Sequence, residues 1–328
     1  MARKPVKKSV PEKRYDKQLV DIQGMDVIDV GDLDTAAVNV VTITDEDLMT
    51  LPIKSALPML EHPFFPPVNN PLKKILRYNH NEVSITVTPS LMGLCPIRDK
   101  DILIFAASVL RDMKRNGLDM STKKPLLFRG AQLMRFCNRI KSNRYAGGSD
   151  YNTLCEQLTR LRMSQVTTNI KTGGRQTSVG FGFIEWWGVT SEKGGYDSTL
   201  AIQLSDWLWR SIASDKELLT ISRDYFKLSP LSRRIYEIAR KHVGHGYHFH
   251  ISAKLLHKKT GSTSSYSEFR RMLKDITRVG EYFVIFNTEK KRSGEDLVEF
   301  LRDPELIPLK KKTSRKTSTT EQPKLFHV

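Results

Sequence analysis

From Leu228 to Gly280 the hydrophobic and polar positions follow an order of helix, short strand, helix, turn and helix. SPLSRRIYEIARKHVG is the first helix, with Ser229 as N-cap, Pro230 at the first helical position and Gly244 at the stop. In the last helix, expected from Ser264 to Arg278, Phe269, Leu273 and Ile276 share one side. Ser267, Arg270, Arg271, Lys274 and Arg278 share the other. Ser262, Ser264 and Ser265 can cap this helix and donate to phosphate oxygens. EYFVIFNTEKKRSGEDLVEFLR then reads as a hairpin whose tip carries Lys290, Lys291 and Arg292.

The same order occurs upstream. VSITVTPS alternates as a strand does, and DKDILIFAASVLRDMKRNG is a helix with Asp99 and Asp101 at its first turn and Gly117 at its stop. LLFRGAQLMRFCNRI follows as strand and helix. SDYNTLCEQLTRLRMS is a further helix that packs Leu154, Leu158 and Leu161 while Asn152, Gln157, Arg160 and Arg162 look outward. VTTNI, the turn at Gly173-Gly174-Arg175 and SVGFGFIEWWGV form a hairpin by turn chemistry and alternation. LSDWLWRSIAS closes the unit as an apolar helix.

The expected fold class is therefore α+β, with two tandem winged helix-turn-helix domains over 61–214 and 215–308. That fold places one helix in the major groove of DNA. Residues 1–60 combine a basic start with an acidic stretch and read as a largely disordered arm. Its DEDLMTLPIKSALPML segment has the pattern of a short amphipathic helix able to dock on another protein. Residues 309–328 form a Lys/Ser/Thr tail without periodicity and are expected to be disordered.

Composition narrows the partner. The 328 residues hold 53 Lys and Arg against 36 Asp and Glu, and the resulting net charge of +17 favours a polyanion, most simply nucleic acid. Cys95, Cys137 and Cys155 include no CxxC pair, which argues against a disulfide framework or a cysteine zinc site and fits a reducing cytoplasm. No signal core and no membrane-spanning apolar run is legible, so a soluble intracellular protein is expected. No P-loop is present, and Gly180–Phe183 lacks the following helix a dinucleotide site needs.

Two short patterns remain. His248-Phe249-His250 matches the motif with which rolling-circle nucleases hold a divalent metal, but their helical tyrosine followed three residues later by lysine occurs nowhere. The expectation is no catalytic residue, no metal and no cofactor, with a metal-dependent nickase as an alternative. Gln322-Pro323-Lys324-Leu325-Phe326 resembles the bacterial sliding-clamp pentapeptide, in which Gln322 would set the register and Leu325 and Phe326 would enter an apolar groove.

ITVTPSLMGLCPIRDKDILIF, TTNIKTGG with GFGFIEWW, LSDWLWRSI and LTISRDYFKLSPLSRRIYEIARKH together resemble the replication initiator protein A family of plasmid-encoded initiators, over roughly residues 60–280. The resemblance implies a non-enzymatic theta-type initiator of the bacterial cytoplasm. Such proteins bind origin repeats (iterons), help melt an adjacent A·T-rich segment and recruit host replication proteins, such as the host initiator and helicase. They exchange between dimers and monomers, and the dimers often repress their own gene. A plain winged-helix repressor is the alternative of the same fold. DNA contact is expected through Asn152, Gln157, Arg160 and Arg162 in one groove. A second contact is expected through Ser264, Ser265, Ser267, Arg270, Arg271, Lys274 and Arg278, with Lys290, Lys291 and Arg292 on the backbone. Half-sites would lie about one helical turn, ~10 bp, apart.

Overall fold

A computed structural model describes residues 37–141, 146–176, 180–190, 198–244, 246–288 and 296–306. The expected hairpin tip at Lys290, Lys291 and Arg292, the tail with Gln322, Leu325 and Phe326, and the first 36 residues of the arm lie outside these.

The first half is organised around α3 (Lys100–Arg115), preceded in the chain by two short helices, α1 (Asp45–Thr50) and α2 (Leu57–Glu61). ILIFAASVL is apolar but for Ser108, whose hydroxyl donates to the Ile104 carbonyl, and every residue from Ile102 to Leu110 is buried. Around it come β5 (Leu126–Arg129), α4 (Gly130–Phe136), α5 (Gly148–Met163), β7 (Ile184–Thr190), β8 (Thr199–Leu204) and α6 (Asp206–Ala213). β8 pairs antiparallel with both β5 and β7, and β1 (Asn39–Val40) adds a parallel edge to β5. Two further short sheets complete this half. One holds β3 (Leu76–His80), β4 (Val83–Thr88) and β6 (Gln165–Thr168), and the other holds β2 (Lys54–Ala56) and β9 (Leu218–Thr220).

The second half runs α7 (Pro230–Val243), β10 (His248–Ser252), α8 (Ala253–Thr260), α9 (Tyr266–Lys274), β11 (Arg278–Val279), β12 (Tyr282–Asn287) and β13 (Leu297–Arg302). Its sheet order is β10-β13-β12-β11. Leaving β6 and β11 aside, both halves run helix, strand, helix, helix, strand, strand, with the last strand (β8 or β13) between the other two. Serine caps start the second set as the sequence suggests. Ser229 accepts from Ser232 N, Ser252 from Leu255 N and Ser265 from Glu268 N.

Three expectations are corrected. The first hairpin is β7 with β8, not VTTNI with SVGFGFIEWWGV. β6 instead joins β4, and a single bridge, Val166 to Phe181, links it to the GFGF stretch. Gly182 passes so close to the Arg162 carbonyl that a Cβ there would lie 2.4 Å from its oxygen, so close packing explains that glycine. TLAIQL escaped the pattern because β8 is central and almost wholly buried, leaving no polar alternation to read.

Residues 37–60 are not disordered arm. Thr44 caps α1, whose acids Asp45, Glu46 and Asp47 occupy the first turn, where the helix dipole favours them. Leu48, Leu51, Ile53, Met59 and Leu60 enter the core, so the amphipathic segment docks on its own chain. β2 pairs with β9, and α2 packs against α7. Finally, α9 stops at Lys274, and Arg278 sits in β11. Buried side chains form one continuous cluster through both halves.

Candidate nucleic-acid interface

α9 buries Phe269 and Leu273 and turns Ser265, Ser267, Arg271 and Lys274 to solvent. Ser265 works as the cap. Arg271 makes a two-pronged contact one turn back, Nε donating to Glu268 Oε2 at 2.9 Å and Nη2 to Oε1 at 2.7 Å. That bond holds the Glu268 carboxyl below its usual range. An incoming phosphate or guanine would have to compete with Glu268 for this guanidinium.

The remaining residues expected on this face do other work. Arg270 forms an ion pair with Asp296 at 2.6 Å and lies over the rings of Tyr266 and Phe286, which ties α9 to the loop end of β12 and β13. Arg278 donates to Asp303 at 2.8 Å and stacks on Phe283, bracing the sheet. Ser264 shapes the turn between α8 and α9. Its carbonyl lies 3.1 Å from His257 Nε2 and its hydroxyl 2.7 Å from that of Ser262.

α5 departs further from expectation. Asn152 is exposed and Arg162 half-buried, but Gln157 and Arg160 are only 5 % and 7 % exposed. Gln157 accepts from Arg139 at 2.6 Å, and Arg160 donates to Asp99 at 2.7 and 3.2 Å. Neither reaches solvent. The helix is covered on its polar flank as well as its leucine stripe, which leaves Ser149, Asn152, Thr153 and Glu156 as its exposed strip.

Between the halves lies a buried ionic seam that the sequence reading missed. Lys100 donates to Glu237 at 2.7 Å and to the Met59 carbonyl at 2.6 Å. Arg234 reaches the other Glu237 oxygen at 2.7 Å and the carbonyls of Leu60 and Lys259. Arg233 binds Asp101 at 2.6 Å, and the Tyr225 hydroxyl donates to Glu237 at 2.6 Å. Burial, partly opposed by Glu237, brings the Lys100 ammonium down to about 8. The available signal was Arg233-Arg234 and Glu237 set among Ile235, Tyr236 and Ile238, charges inside an apolar helical stripe.

His248 and His250 lie side by side on β10, exposed, with ring centroids 5.6 Å apart and His248 Nε2 3.4 Å from Glu299. Among the described residues, no group of three or more His, Cys, Asp or Glu side chains is placed to hold a metal ion. The three cysteines are buried thiols. Among the described residues, no helix is long and apolar enough to cross a membrane.

A chain with a duplicated helix–strand–helix–helix–hairpin order, a buried ionic seam, and exposed basic side chains on both α8 and α9 belongs to the mixed α/β proteins. The family model for Replication initiator protein A matches residues 54–282, and the chain belongs to that family, which gives it a role in the initiation of replication. A "Putative replication protein" of Wigglesworthia glossinidia brevipalpis is 33% identical over 253 residues, covering 75% of this chain and 89% of that protein. Crystallised domains 2 and 3 of RctB share the fold with a TM-score of 0.53 at 10% identity, covering 76% of this chain and 99% of that one.

Proposed function

We propose that this initiator binds repeated sites in the duplex of a plasmid origin, and that its two halves are winged helices. The observation that carries the reading is α9, a serine-capped helix that buries one stripe and presents Ser267, Arg271 and Lys274 beside a β-hairpin. A helix so presented fits the major groove, where arginine reads guanine through two hydrogen bonds. The seam at Lys100 and Glu237 would hold the second half at a set angle to the first, so that both meet one face of the duplex. The protein acts by binding rather than by catalysis. Opening of the origin, recruitment of host initiator, helicase or sliding clamp, a monomer–dimer exchange and copy control belong to the same reading.

A DNase footprint on the DNA flanking its own gene, taken at several salt concentrations, tests this. Protection of several direct repeats is the expected result. Protection of one inverted repeat alone would make it a repressor. Salt-sensitive coating without discrete protection would defeat sequence-specific binding altogether.

A further inference from the structure

Where the two halves meet beside α8, a cleft of about 530 Å³ opens to solvent. One wall comes from Lys74, Arg77 and Tyr78, at the start of β3 and within it. The other comes from Lys254, His257 and Lys258 on α8, and the α8–α9 turn forms its end. Lys74, Arg77, Lys254 and Lys258 are exposed, and no carboxylate is among the described residues that line the cleft. Tyr78 is 3 % exposed, and its hydroxyl has no hydrogen-bond partner among the described residues.

The surrounding field is positive as well. Burial first, and then the charges of Lys259 and Lys258, hold the His80 imidazole below its ordinary range. A concave, one-sign surface of this kind concentrates a polyanion.

We infer that this cleft seats a stretch of phosphodiester backbone of the same duplex that α9 reads, bridging the two halves. The inference rests on the proposed DNA binding and names a phosphate site within it. Continuity favours duplex DNA over other anions. Ser262 and Thr263 line the cleft, and Ser265, two residues on from Thr263, caps α9. A strand entering the groove at that cap therefore passes the cleft mouth. Because the two walls come from different halves, backbone contact here requires the halves to be docked. The site would report on their relative position as well as on the DNA.

The test is fluorescence anisotropy of the full chain on a random-sequence duplex across a salt series. It compares the unaltered protein with Lys74→Gln/Arg77→Gln, Lys254→Gln/Lys258→Gln and Arg271→Ala, all checked for unchanged thermal unfolding. Each cleft double variant is expected to flatten the plot of log K against log salt by about two, close to one per lost phosphate contact. An unchanged slope in both double variants, with a lowered one in Arg271→Ala, overturns the cleft and leaves the DNA-binding reading standing. No binding of duplex by the unaltered protein overturns the reading itself. An unchanged slope on duplex together with weakened binding of a single-stranded RNA probe would move the cleft to another ligand and overturn the inference as well.

Discussion

Arg160 grips Asp99 through two hydrogen bonds, 2.7 Å from Nε and 3.2 Å from Nη2, with both side chains withdrawn from water. The pair joins α5 to the residue just before α3, so an arginine on a helix that looked available to DNA instead fastens the first half together. Arg160→Ala would strand the Asp99 charge in the interior. It should cost ~3–5 kcal/mol of stability by urea unfolding. A near-neutral result, with loss of DNA binding instead, would return Arg160 to the interface.

Glu268 and Arg271 should trade places in effect. Removing the acid with Glu268→Gln frees the guanidinium and removes a negative charge from the α9 face. Affinity for duplexes of any sequence should then rise, most at low salt. Arg271→Ala should cost ~1–3 kcal/mol at the repeat and relax specificity at one base if it reads guanine. Binding titrations of both variants on specific and random duplexes decide it. Equal affinities across all three proteins would remove Arg271 from the recognition face.

The seam makes a prediction about coupling. Glu237→Leu leaves Lys100 and Arg234 without their shared carboxylate and should cost ~3–5 kcal/mol. The Lys100→Met/Glu237→Leu double variant should lose less than the sum of the two single variants, because one of the stranded cations is gone. A double-mutant cycle in urea measures the difference, and strict additivity would mean the two groups do not interact.

Stability should also fall with acid for a histidine reason. Burial first, and then Lys259 and Lys241, bring the His242 imidazole down to about 4. Burial brings His62 to a similar value against the pull of Glu61. Unfolded histidine protonates near 6.5, so between those values the unfolded chain binds more protons than the folded one. The contribution is whole at neutral pH and is lost as the pH falls from about 6.5 through about 4. His242→Phe keeps the stack on Phe249, whose ring centroid lies 4.6 Å away, and cannot titrate. Its urea midpoint should therefore drop less than that of the unaltered protein between pH 7.5 and 5. Parallel drops would show that His242 is not a contributor.

The second half was legible almost residue by residue, because its elements are short-range objects. Ser229 before Pro230 and Gly244 after Val243 mark one helix, and Ser265 before the Phe269–Leu273 stripe marks another. Its last helix was carried four residues too far at its C-terminal end. Ile276 suits a helical stripe, but after Asp275 the chain turns into β11, where Arg278 meets Asp303 across the sheet. In the first half the main helices were legible too, but two local cues misled. β8 has no polar alternation because both its faces are buried, and the acids of α1 masked the buried Leu48 and Leu51.

What the chain alone determined is therefore the sum of local preferences: caps, stripes, the repeated element order, the family likeness and an excess of positive charge able to face a polyanion. Which charges reach solvent was decided only by tertiary packing. Arg160, Arg233, Arg234 and Arg271 are chemically alike on a helical wheel. Three are buried because a carboxylate that is itself withdrawn from water satisfies them, while the partner of Arg271, Glu268, is solvent-facing. A guanidinium is buried when the fold supplies its counter-charge and hydrogen-bond acceptors. The cleft beside α8 follows the same logic, since its two basic walls lie about 180 residues apart in sequence and share one surface only because the halves dock.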